Sequence, residues 1–207
     1  MPSPRPNNHQ IMALQARGLF LTYDQDAIIA KSPVTFDETF LYLPVLDRAA
    51  RVSRSTGEVC WLLDGTATPA TPHETLTVFD YLCDASPTRS LSGQWKSMAS
   101  FGLQFHSGML ESSAPSPLET AIDQNPEAFR RACIHLGGSP FPNCDIGFSL
   151  PLFPDLPVAL AFWRSDEEFP PQTRWFWDGN ALQYLRYETM HYAVGLISAR
   201  LRTLLSR

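Results

Sequence analysis

The residues best suited to chemistry are three successive acids, Asp166-Glu167-Glu168, between the apolar run Val158–Trp163 and the pair Pro170-Pro171. Prolines on both sides restrict the backbone, so these carboxylates are held in a narrow range of geometries. Read as an extended strand, the segment puts Asp166 and Glu168 on one side and Glu167 on the other. Two carboxylates on one side could ligate a hard divalent cation. One of them, with its pKa raised, could instead serve as a general acid or base. The alternative is a tight turn in which the carboxylates accept backbone N–H groups and only fix a hairpin. Asp145 and Asp178 are the acids expected nearest. Trp163, Phe169, Trp175 and Trp177 supply aromatic walls on adjacent strands, with Trp175 and Trp177 on one face and Phe176 on the other. They belong either to the core or to a ligand or partner surface. The candidate ligand-binding set is therefore Asp145, Trp163, Asp166, Glu167, Glu168, Phe169, Trp175, Trp177 and Asp178.

Other chemistries find less support. Glu188-x-x-His191 has the spacing of carboxylate-bridged metal bundles, but no second such pair accompanies it. There is no G-x-S-x-G, no phosphate-binding glycine loop and no pairing of Cys with a neighbouring His. Gly137-Gly138-Ser139 follows a helix and reads as its stop. Cys60, Cys83, Cys133 and Cys144 are widely spaced, without any C-x-x-C. Clusters and structural zinc draw thiolates from short paired spacings, so no iron–sulfur cluster and no metal site is expected. Reduced, mostly buried thiols behaving as small hydrophobes are expected instead.

The order Gly137-Gly138, Cys144-Asp145, Leu152-Phe153-Pro154-x-Leu156-Pro157, Trp163-x-x-Asp166-Glu167-Glu168-Phe169-Pro170 and Asp178, followed by a C-terminal helix, resembles an uncharacterised family of anaerobic bacteria. Its members are catalogued as a domain of unknown function, and some carry an iron–sulfur label. The resemblance is densest over Ala132–Leu205 and continues in looser form back to Phe40. It implies an anaerobic setting, from which alone a corrinoid cofactor is conceivable, and it brings no activity to carry over.

The elements that must position these residues follow from pattern. The 207 residues are 44% hydrophobic and 12% aromatic, enough for a sizeable core. Net charge is −5, and the densest cationic cluster is Arg48, Arg51 and Arg54. No cationic face for nucleic acid is expected. With no apolar run of spanning length and no signal-like N-terminus, a soluble, cytoplasmic protein without a membrane partner is expected. Residues 1–8 read as a disordered tail and 9–207 as a single domain.

Along the chain, His9–Arg17 reads as a helix stopped at Gly18, and Ala27–Ala30 as a strand. Phe40–Leu46 leans to β, with Pro44 arguing against a regular central strand. Ala49–Arg54 and Glu58–Leu63 form a hairpin around Ser55-Thr56-Gly57. Thr66–Pro72 is a Pro-rich connection, and a helix starts at His73, capped by Thr71 or Thr75. Ser86–Ser100 is loop-like, with a short strand at Gln94–Met98. Phe101–Leu110 is ambiguous, and Ser112–Pro117 is a linker. Leu118–Ile122, Pro126–Leu136 and Glu188–Leu205 are helical, and Asp178 or Asn180 caps a turn reaching Leu185. Clustered strands with helices between them predict an α+β fold with a mainly antiparallel sheet that both hairpins join. The function best supported is a soluble ligand- or cofactor-binding accessory protein with an aromatic and acidic cleft at 163–178. An enzyme working through Asp166, Glu167 or Glu168, and a purely structural or protein-interaction domain, are the alternatives.

Overall fold

A computed structural model describes residues 7–101 and 115–206. The expectations for residues 1–6 and for 102–114 lie outside the described residues. The fold is α+β with two antiparallel five-stranded sheets, and the chain divides into two compact units. One comprises the chain up to Ser90 with Leu182–Ala193; the other comprises Leu91–Ala181 with Val194 onward.

In the first unit, α1 (Asn8–Phe20) starts with a capping box between Asn7 and Gln10. It runs through Gly18 rather than stopping there. Phe20 is fully buried and stacks on Phe79 at 5.1 Å, and that burial outweighs the roughly 1 kcal/mol penalty of a mid-helix glycine. The Ala27–Ala30 segment is not a strand but part of α2 (Gln25–Lys31). Asp24 caps it by accepting the amides of Asp26 and Ala27. A meander follows: β1 (Thr35–Phe36), β2 (Phe40–Val45), β3 (Arg48–Ser53), β4 (Val59–Leu63) and β5 (Thr66–Pro69). Leu41, Leu43, Ala50, Val52, Val59 and Trp61 alternate onto its buried face.

Pro44 is tolerated inside β2 because β1 reaches only as far as Tyr42, leaving Pro44 a partner on one side alone. The Ser55–Gly57 turn forms as the pattern predicts, with Gly57 at φ +67°. The Pro-rich connection is instead strand β5, turned back by Asp64-Gly65, both at positive φ. Asp-Gly is a strong hairpin signal, which the prolines further on obscure. α3 (Pro72–Phe79) opens on a capping box of Thr71 and Glu74, then passes into a π-helical turn, Asp80–Asp84.

In the second unit the strand order is β6-β10-β9-β8-β7: β6 (Trp95–Ser97), β7 (Ser139–Pro140), β8 (Ile146–Phe153), β9 (Leu156–Trp163) and β10 (Gln172–Asp178). The two hairpins thus lie in separate sheets, not one. Ile146, Phe148, Leu150, Val158, Leu160 and Phe162 form a buried face, and Phe129 of α5 (Pro126–His135) meets Phe148 and Phe162. Gly137, at φ +76°, ends α5, and the Gly138 amide returns to the Cys133 carbonyl. Ser116 and Glu119 box the start of α4 (Pro117–Gln124). The final helix, α6 (Tyr187–Leu205), gives residues 187–193 to the first unit and 194–205 to the second. Among the described residues no helix is long and apolar enough to cross a membrane.

Candidate functional site

Arg164–Pro171 is a loop, so the strand alternation expected for the three acids does not arise. Asp166 closes a turn instead: Oδ1 accepts the amides of Glu168 (2.8 Å) and Phe169 (2.7 Å), and its own amide donates to the Phe169 carbonyl. Asp166, Glu167, Glu168 and Phe169 are exposed. Asp145 does lie beside this loop, its Oδ2 accepting the Arg164 amide at 2.9 Å, and Asp123 holds Ser165 through amide and hydroxyl. Trp163 is partly exposed, with the Arg174 guanidinium 5.3 Å from its ring.

Asp178 sits at the opposite end of β10, paired with Trp95, whereas Gln172 at the loop end pairs with Trp163. Six residue steps along the strand separate those ends by roughly 20 Å. Trp175 and Trp177 share a face, as expected, opposite Leu160 and Val158. Trp177 is fully buried and Trp175 partly so. Phe176, on the other face, meets Phe141 at 5.3 Å.

Asp178 is 4% exposed, and four donors converge on it: the amide and hydroxyl of Ser92 and the amides of Gly93 and Asn180. Burial raises its pKa, but these bonds outweigh burial and hold the carboxyl below the usual range. It ties the start of β6 to the end of β10.

A different carboxylate has the opposite electrostatics. Asp80, first residue of the π-helical turn, is 6% exposed. Its Oδ2 accepts the Arg186 amide at 2.7 Å, and the Thr189 hydroxyl also donates to the carboxylate. Asp80 thereby caps the start of α6. Among the described residues Oδ1 is buried without a hydrogen-bond donor, and Arg186 Nε approaches it at 3.4 Å. Burial dominates and pushes the Asp80 carboxyl above its ordinary value, with Thr189 and Arg186 opposing.

The turn is tied from three sides. The Tyr23 hydroxyl donates to Asp84 Oδ1 at 2.9 Å, and the Arg186 guanidinium pairs with Asp84 Oδ2. Lys31 Nζ donates to the carbonyls of Cys83 (2.7 Å) and Ala85 (3.1 Å), and its burial lowers its pKa. π-helical turns recur at functional sites. This one borders a cleft of about 110 Å³ in the first unit, where Phe20, Leu76 and Phe79 supply apolar wall and Asp80, Asp84, Arg186, Glu188, Thr189 and Tyr192 the polar edge. Tyr192 stacks on His73 at 4.5 Å, and His9 meets His73 edge-on at 4.3 Å. Burial lowers the His73 pKa, and the neighbouring His9 lowers it further.

Burial raises the Cys83 thiol to about 12, so it enters the cleft as a neutral thiol. The four cysteines are free, two in each unit, and against expectation only Cys133 is fully buried, Cys60, Cys83 and Cys144 being partly exposed. Glu188 lines the cleft, whereas His191 is exposed against Tyr187 at 5.0 Å. Among the described residues no group of three or more His, Cys, Asp or Glu side chains is placed to hold a metal ion.

Sequence reading passed over Asp80 and Asp84. The signal available was an acid at position 80 inside the otherwise apolar run that includes Leu76, Phe79, Tyr81 and Leu82. Its partners Arg186 and Thr189 lie far along the chain, and no local pattern links them to it.

A family model described as "Domain of unknown function (DUF3786)" matches residues 24–200, and the chain belongs to that family. No curated protein and no solved structure matches it.

Proposed function

We propose that this member of the family binds a small cationic or hydrogen-bond-donating ligand in the cleft of its first unit, with Asp80 as principal contact and Asp84 and Arg186 beside it. The observation that carries this reading is Asp80 Oδ1, a buried carboxylate oxygen at the edge of a cleft that has no hydrogen-bond donor among the described residues. Such an oxygen has lost hydration that the Arg186 guanidinium, 3.4 Å away, replaces only in part, and an incoming donor would restore more of it. Three carboxylates, Asp80, Asp84 and Glu188, and one guanidinium line the cleft, so the charge balance of its lining favours a cation. The small volume argues for a compact amine and against a corrinoid in this cleft.

The accessory role in anaerobic metabolism comes from the sequence resemblance alone. The turn at Asp166 is the weaker location, because its exposed acids would give a ligand little desolvated contact. An acid–base role is a second reading for the same cleft, favoured by the raised pKa of Asp80.

Titration calorimetry with ammonium, methylammonium, guanidinium and imidazolium ions tests the binding reading. Saturable binding is expected, weakened about tenfold or more in Asp80→Asn. It should be unchanged in a triple variant carrying Asp166→Asn, Glu167→Gln and Glu168→Gln. A folded Asp80→Asn protein that binds these ions as well as wild type would remove the assignment. Loss in the triple variant alone would return the site to the 166–168 turn.

A further inference from the structure

A second cavity, of about 350 Å³, lies in the other unit and has different chemistry. It is bordered by the start of α4, by β10 and by the later turns of α6, through Ser116, Glu119, Thr173, Trp175, Ser198 and Arg202 among others. Ser198 and Arg202 are one turn apart on α6 and share a face. Trp175 is held by its strand opposite Leu160 of β9, with its indole partly open. Among the described residues no other ring stacks on that indole, and the Arg202 guanidinium has no ion pair or side-chain hydrogen bond.

The one acid in the groove is already committed. Glu119 Oε1 accepts the Thr173 amide (2.7 Å) and hydroxyl (2.9 Å), and Oε2 accepts the Ser116 amide (2.7 Å). Burial would raise the Glu119 pKa, yet these bonds outweigh it and keep the carboxyl below its usual range. Glu119 is therefore a fastener between α4 and β10, with little capacity left for a cationic ligand. What the groove still offers is a flat indole, a hydroxyl and a planar guanidinium unpaired among the described residues. An indole face selects a planar ring, and a guanidinium fork selects a carboxylate in two-point contact. The volume falls at the small end of the range for organic ligands.

We propose that this groove is a binding site for a small aromatic carboxylate, its ring against Trp175 and its carboxylate on Arg202, with Ser198 as an additional hydrogen-bond donor. The site shares no residue with the Asp80 cleft and opposes it in ligand charge. The two readings therefore stand or fall separately.

Titration calorimetry of the full chain with benzoate and 2-naphthoate tests the proposal, with cyclohexanecarboxylate and benzamide as probes lacking the aromatic ring or the charge. Wild type should bind both aromatic acids saturably, 2-naphthoate more tightly, and bind the two comparison compounds at least about tenfold more weakly. Arg202 is exposed on a helix surface, so Arg202→Gln should fold normally and lose about tenfold in affinity. Trp175→Leu should lose affinity while keeping the preference for acids, and Asp80→Asn should leave binding unchanged. Absence of saturable binding to either aromatic acid overturns the proposal. So does an Arg202→Gln protein of undiminished affinity, or benzamide binding as tightly as benzoate, which would mark a neutral ring site.

Discussion

Asp80 and Asp178 are nearly equally buried, one in each unit, yet their environments push them in opposite directions. Asp178 gathers four donors from Ser92, Gly93 and Asn180, and its anion is favoured. Asp80 has one backbone amide, the Thr189 hydroxyl and a loosely placed guanidinium, with one oxygen lacking a hydrogen-bond donor. Burial alone does not decide what a carboxylate can do. The balance between desolvation and the N–H and O–H groups aimed at it does. A saturated carboxylate holds structure together, whereas an under-supplied one retains capacity for something else. Asp166 completes the series: exposed, with two local amides on one oxygen, it shapes a turn.

The sharpest way to break this contrast is to delete the saturated member. Asp178→Ala strands several part-buried donors at once and should destabilise the protein by about 2–4 kcal/mol in urea denaturation. A loss below about 1 kcal/mol would mean that the four bonds do not act as the clamp described here.

A smaller effect, and a more diagnostic one, is the sign of the pH dependence. The folded pKa of Asp178 lies below its ordinary value of 3.8, so its stabilisation is present above that pH and lost as pH falls through the folded pKa. The deficit of Asp178→Asn relative to wild type should therefore shrink on acidification. The folded pKa of Asp80 lies above 3.8, so its contribution is greatest below that value and is lost as pH rises through the folded pKa. The deficit of Asp80→Asn should shrink as pH rises instead. Denaturation midpoints of both variants across the acid range read this directly, and slopes of the same sign would erase the distinction.

The smallest effect is expected at the exposed acids. Asp166→Ala should cost under about 1 kcal/mol, and Glu167→Gln and Glu168→Gln should stay within about 0.5 kcal/mol of wild type. A larger loss from either glutamine variant would show that these side chains have partners beyond the turn.

The sequence by itself determined a good deal of local structure. Alternation in Phe40–Val45 and its partner strands, the Gly57 turn, the presence of the middle helices, the Gly137 stop and the long final helix are written in neighbouring residues. Such features depend on contacts within a few positions, which pattern can register. Where local signals competed, pattern misled. Ile28 and Ile29 suggested a strand, but the Asp24 cap and the burial of Ile28 made a helix. Pro69 and Pro72 suggested a connection, but Asp64-Gly65 had already turned a strand.

Only the tertiary structure decided the placement of the two hairpins in separate sheets, the separation of Asp178 from the 166–168 turn, and the pairing of Asp80 with Arg186. An acid's pKa depends on how many donors and how much water surround it. For Asp80 and Asp178 most of those donors come from residues remote in the chain. The family resemblance drew attention to Asp166–Glu168, where acids are dense in sequence. Folding put the under-supplied carboxylate at Asp80, because desolvation is a property of the packed interior, and that interior is assembled from segments no short window of sequence contains.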